Sequence, residues 1–130
     1  MTWASLLAAM AVLLPTAPLP TAMDAGWKGE KVCERLFEND QIRVGRCTFP
    51  PGVGHERHFH PPHWGYIVQG STMRTTNAQG VVVRELKAGS SWWSDGIEWH
   101  EVLNVGATTT GVYIIVEPKT AESKSAATMP

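Results

Sequence analysis

From Gln41 onward the chain is a succession of short β-prone runs, each stopped by turn residues. "QIRVGRCTF" (41–49) ends at Pro50-Pro51-Gly52. "GYIVQG" (65–70), "STMRTT" (71–76), "VVVREL" (81–86), "SSWWS" (90–94), "EWHEVLNV" (98–105) and "GVYIIVE" (111–117) follow. Asn77-Ala78-Gln79-Gly80 reads as a four-residue loop closing a hairpin. No window of eleven residues shows a helical period outside one apolar run near the N-terminus. Many short strands at close spacing bury their apolar faces only by closing as an antiparallel sandwich or a small barrel.

With 130 residues the chain holds one domain, long enough for a real core. The formal charge of −1, with Lys and Arg scattered, excludes the concentrated basic face that nucleic acid or an anionic membrane requires. Ala4–Leu14 is apolar but far short of the roughly 20 residues of a membrane span, and a Pro-rich, small-residue stretch follows it. Residues 1–25 are expected to be a signal peptide and linker, 26–119 the domain, and 120–130 a flexible tail. That places the protein in the periplasm or outside the cell; a true start at Met23 would instead make it cytoplasmic. Cys33 and Cys47 either form a disulfide between neighbouring strands or are two small buried residues.

The chemistry concentrates in "HERHFHPPHWGY" (55–66), which holds four of the five histidines. Strand side chains alternate faces, so His58 and His60 point the same way and both can reach one ion. His55 and His63 have the opposite parity, but Pro61-Pro62 breaks the pairing and can swing His63 back. His100, in "IEWHEVLN", is the remaining histidine and completes the set. Parity puts Glu56 beside His58 and His60, as an acid/base candidate, and His55 outside. Trp64, Trp92, Trp93 and Trp99 lie in or beside these stretches. Of the adjacent Trp92 and Trp93, at most one can face inward.

"PPGVGHERHFHPPHWGYIVQG" resembles the first cupin motif, G-x5-H-x-H-x3,4-E-x6-G. Gly52 precedes His58-x-His60 by five residues, and six residues separate His63 from Gly70. Gly89 to Asn104 has the spacing of the second motif, G-x5-P-x-G-x2-H-x3-N, with His100 and Asn104 at the His and Asn positions. The chain is therefore similar to a small single-domain bacterial cupin over residues 37–117. The resemblance implies an all-β fold, a single antiparallel, jelly-roll-like β-barrel (double-stranded β-helix). It also implies a divalent transition metal (Fe, Mn, Zn, Ni or Cu) held by His58, His60 and His100. His63 stands where the motif has its Glu and is expected as fourth ligand. Asp95 and Ile97 replace the Pro and Gly of the second motif, so that turn must be built differently.

Four neutral imidazoles leave the charge of a divalent ion uncompensated, which favours an anionic ligand. The expected function is a metal-dependent enzyme of dioxygenase or lyase/isomerase type, acting on a small anionic or carbonyl-bearing molecule. The alternatives are a non-catalytic metal-containing binding or sensor protein and a cupin that has lost its metal. Tyr66 and Tyr113 could donate to a bound anion, and Arg43, Arg46 or Arg74 could pair with a carboxylate. The expected partners are a small molecule and a second copy of the chain, the latter to cover an exposed sheet edge.

Overall fold

The structure, a computed structural model, describes residues 18–120 together with Ala9 and Ala11. Apart from those two alanines, the apolar run of the expected signal peptide lies outside the described residues, as does the tail from residue 121. The described residues contain only strands and connections. The strands are β1 (Gly26–Trp27), β2 (Glu30–Lys31), β3 (Cys33–Glu38), β4 (Ile42–Phe49), β5 (Gly54–His60), β6 (His63–Gln69), β7 (Ser71–Asn77), β8 (Gly80–Leu86), β9 (Ser91–Ser94), β10 (Ile97–Asn104) and β11 (Gly111–Pro118). No helix among them is long and apolar enough to cross a membrane.

Two antiparallel sheets account for the architecture. One has the order β3-β4-β11-β6-β9, the other β5-β10-β7-β8, and β1-β2 form a small ribbon. In the five-stranded sheet β11 is central, paired with β4 from Gly111↔Phe49 to Pro118↔Ile42. Its alternation is clean: Gly111, Tyr113, Ile115 and Glu117 are buried and the residues between them are half-buried. The core lies between the sheets, where Cys47, Phe49, Ile67, Tyr113 and Ile115 meet Met73 and the half-buried Val102. The all-β jelly roll is thus as expected. No strand pairing joins the two sheets among the described residues, so the barrel closes through side chains and not through hydrogen bonds.

The hairpin is tighter than expected. Asn77 and Gly80 pair directly, leaving a two-residue loop, and Asn77 Oδ1 accepts the Gln79 amide at 2.9 Å. Strands β1 to β3 carried no clear pattern: β3, "CERLFE", is an edge strand whose residues after Cys33 are all exposed. Residues before Gly26 are also part of the fold. Phe59 N donates to Pro20 O and Ala22 N donates to Phe59 O, each at 3.1 Å, so the strap 20–25 runs parallel to β5 at Phe59 and then turns, with Asp24 N and Ala25 N donating to Thr21 O. Ala22, Met23 and Ala25 of this strap are buried, Met23 within the core itself.

Cys33 and Cys47 face each other across the β3–β4 pair and form a disulfide. The bridge joins residues 14 apart, a loop for which constraint of the unfolded chain is worth about 3 kcal/mol. The Cys33→Ala/Cys47→Ala variant is expected to lose about 2–4 kcal/mol in urea unfolding of the oxidised protein. An unchanged midpoint would mean the pair is not cross-linked in solution.

Candidate metal centre

β5 and β10 lie side by side with two irregularities in their register. Ile97 opposes His60, His100 opposes His58, and Val102 opposes His55. Between the first two pairs β10 carries an extra residue; between the second and third pairs β5 carries one. Each is a bulge that resets which face the following side chain takes. The bulge in β10 lets Ile97 and His100 both turn inward, and the bulge in β5 sends Glu56 and Arg57 out together.

The result is a triangle of imidazole nitrogens. His58 Nε2 lies 3.0 Å from His60 Nε2 and 2.9 Å from His100 Nε2, and His60 Nε2 lies 3.0 Å from His100 Nε2. His58 and His60 are buried and His100 is half-buried. The triangle does not close as a hydrogen-bond network. His58 Nδ1 sits 2.6 Å from Glu56 O, which can only accept, so that ring carries its proton on Nδ1 and presents a lone pair at Nε2. His60 Nδ1 is buried without a partner. Two neutral rings have two protons for three contacts, and a proton moved to His60 Nδ1 would be stranded at a cost of about 1–3 kcal/mol.

A cation satisfies the same geometry. The three Nε2 atoms lie close enough together for one divalent ion to be held by all of them, and imidazole nitrogen is a common ligand for such an ion. The His58 Nδ1–Glu56 carbonyl contact is the kind of support that orients a ligating histidine. Burial keeps the rings neutral: it pushes His58 down to about 4 and His100 to about 3. His60 is lowered most, by burial and then by its neighbours His58, His100 and His63.

His63 turns inward, as Pro61-Pro62 would direct it, but is not one of the three convergent nitrogens. Its ring stacks on His60 at 4.5 Å, and its Nδ1 donates to Pro61 O at 2.9 Å, leaving an Nε2 lone pair. His55, read from parity as facing out, is buried. Its ring stacks on His58 at 3.8 Å and its Nε2 donates to Ala25 O at 3.2 Å, which ties the strap to a histidine of the triangle. The adjacent charges Glu56-Arg57 were the signal for this placement, since strict alternation would have buried one of them.

Other sequence candidates fall elsewhere. Glu56 is exposed and accepts the Lys28 amide at 3.0 Å, because the bulge reverses the parity that placed it beside His58. Tyr66 alternates outward between buried Gly65 and Ile67 and stacks on Trp64. Arg43 pairs with Glu38 and Glu117, Arg46 pairs with Glu34, and Arg74 is exposed. Trp93 bonds Asp95, and Trp99 lies beneath the Arg57 guanidinium at 3.9 Å. Asn104 is structural: its Nδ2 donates to Phe49 O and Thr109 O, and its Oδ1 accepts the Gly106 amide.

Tyr113 does line the cavity beside the histidines, and burial pushes its phenol up to about 12. The cavity measures about 90 Å³, with Phe49, Trp92, Ile97, Val102 and Ile115 among its walls and no carboxylate. These apolar positions were not singled out from the sequence, apart from Trp92 as one of a pair.

No family model and no curated protein matches the sequence. Solved structures match the fold. A cupin domain from Bordetella pertussis Tohama I aligns over 81% of this chain and all of its own, with TM-score 0.64 and 21% identity. A polyketide cyclase from Streptomyces resistomycificus aligns over 91% of this chain and 95% of its own, with TM-score 0.57 and 17% identity. A DMSP lyase from Ruegeria pomeroyi DSS-3 aligns over 69% of this chain and 47% of its own, with TM-score 0.53 and 18% identity. The chain has the cupin fold, the double-stranded β-helix.

The histidine shifts make an acid-labile metal-free protein. A histidine whose folded pKa is depressed below roughly 6.5 binds its proton more readily when unfolded. Its contribution is therefore complete above pH ~6.5 and is lost as pH falls toward the folded values of about 4 for His58 and about 3 for His55 and His100. Urea midpoints of chelator-treated protein should fall steadily from pH 7 to pH 4.5, and less steeply in His55→Phe. Equal slopes in the two proteins would contradict the buried, neutral His55.

Proposed function

We propose that the protein is a metal-dependent enzyme that acts on a small anionic or carbonyl-bearing molecule. His58, His60 and His100 hold a divalent transition metal. The observation that carries this is the triangle of Nε2 atoms, which no arrangement of the available protons satisfies. His63 is the fourth donor: its Nδ1 proton on Pro61 O leaves Nε2 free, the same arrangement that Glu56 O imposes on His58. Imidazole suits Fe, Mn, Zn, Ni and Cu alike. A divalent ion here would polarise a carbonyl or carboxylate as a Lewis acid and, if iron or copper, could also serve oxygen chemistry.

Each residue then has a defined part. The neutral donor set attracts an anionic group, since no carboxylate in the cavity offsets the charge. Tyr113, held protonated, can donate but not abstract a proton. Phe49, Ile97, Val102 and Ile115 exclude water from the bound group. That the same fold carries a polyketide cyclase and a DMSP lyase supports the lyase/isomerase form over the dioxygenase form, with only the fold in common.

The absence of a carboxylate acid/base from the cavity favours a second reading, a metal-containing binding or sensor protein without turnover. The Cys33–Cys47 disulfide supports export to the periplasm or beyond. Homodimerisation belongs to the same proposal: β8 is an edge strand with exposed Val81, Val82 and Val83.

Protein purified without chelators should contain close to one transition metal per chain by elemental analysis. His58→Ala or His100→Ala should weaken metal binding more than about 100-fold, beyond the 10–100-fold range of an outer-shell partner. His63→Ala should weaken binding comparably, and a clearly smaller loss than in His58→Ala would remove His63 from the ligand set. Metal-free wild type would end the reading. Loaded protein that binds anions but turns over no small carbonyl or carboxylate compound would favour the binding protein.

A further inference from the structure

Trp92 stands at the edge of the cavity and is half in solvent, 37% exposed. It lies on β9, an edge strand of four residues paired only with β6. Its indole occupies the space over Gly65, its direct partner across the pair, and a Cβ at Gly65 would overlap the six-membered ring. The same indole meets His63 and Tyr113 edge-on, each at 6.4 Å between centroids and 90° between planes. One side chain therefore meets the residue beside the histidine triangle, the Tyr113 phenol two strands away in the same sheet, and the solvent. Adjacent Trp93 points the other way, to Asp95.

The remaining space is small. The cavity's 90 Å³ is under a third of the roughly 300 Å³ at which pockets for drug-sized ligands begin. Beyond the histidines and Tyr113, its walls are apolar and include Phe49, Ile97, Val102 and Ile115. Gly65 is what lets the indole fill the rest, because any side chain there would push it away.

We propose that Trp92, seated on Gly65, sets the size limit of the site and restricts it to short-chain monocarboxylates of two to four carbons. The carboxylate lies at the histidine triangle and the short alkyl part lies against Ile97, Val102 and Ile115. Trp92 is a specificity-determining residue and takes no part in holding the metal. The proposal rests on the metal reading above, and its test separates the two.

Cobalt(II)-loaded protein is titrated with acetate, propionate and phenylacetate, and binding is followed in the visible spectrum and by calorimetry. Wild type should bind phenylacetate at least about tenfold more weakly than propionate, the discrimination expected of a tight apolar pocket. Trp92→Ala should bring the two within about threefold by strengthening phenylacetate, with cobalt affinity unchanged. Trp92→Phe should show a smaller gain in the same direction, which keeps the test open if the alanine variant folds poorly. Gly65→Ala, with Trp92 still present, should also admit phenylacetate. If wild type holds cobalt at one per chain but binds phenylacetate as well as propionate, Trp92 does not limit size. An unchanged preference in all three variants overturns it equally. Protein that holds no cobalt sinks the metal reading instead, and this proposal with it.

Discussion

Side chains on a regular strand leave alternately to its two faces, and the histidine triangle depends on the two places where β5 and β10 break that rule. Without the bulge in β10, Ile97 and His100 would face opposite ways and the triangle would lose a corner. Without the bulge in β5, His55 would lie outside and Glu56 would enter the cavity. A carboxylate would then sit beside the imidazoles and offset the charge of any ion. The bulges therefore set both the shape and the charge of the site.

Burial does the rest. Removing the imidazoles from water keeps them neutral, which is the form that can donate a lone pair. The same burial leaves the His60 Nδ1 without a partner, and an unpaired buried polar group is costly. Support comes from backbone carbonyls: Glu56 O on His58, Pro61 O on His63 and Ala25 O on His55. The strap contributes the last of these, so residues before the first strand help hold the ring packed on His58.

Much of this was legible beforehand. The strands from β4 to β11 follow the β-prone runs because Gly, Pro and Asn mark their ends, and the H-x-H pair faces inward because strand period is two. The hairpin was read two residues too long, since Asn77 and Gly80 pair instead of turning. Strands β1 to β3 were not legible: they lie at edges, where charged residues replace alternation. His55 and Glu56 exchanged faces because a bulge is a property of two paired strands, and the pairing of His100 with His58 and Val102 with His55 is not written in either segment alone. The cavity walls were hidden for the same reason, since Phe49, Ile97 and Ile115 come from three strands far apart in the chain. Trp92 was separable from Trp93 only once Gly65 was known to lie opposite it.

The strap that reaches along β5 also changes what the four-stranded sheet can do at its margins. One margin, β5, already has Thr21 bridged to Phe59, while the other, β8, has no strand beyond it among the described residues. Two copies joined at β8 would leave their β5 sides outermost, where the strap already pairs both backbone groups of Phe59 and so blunts that edge against further pairing.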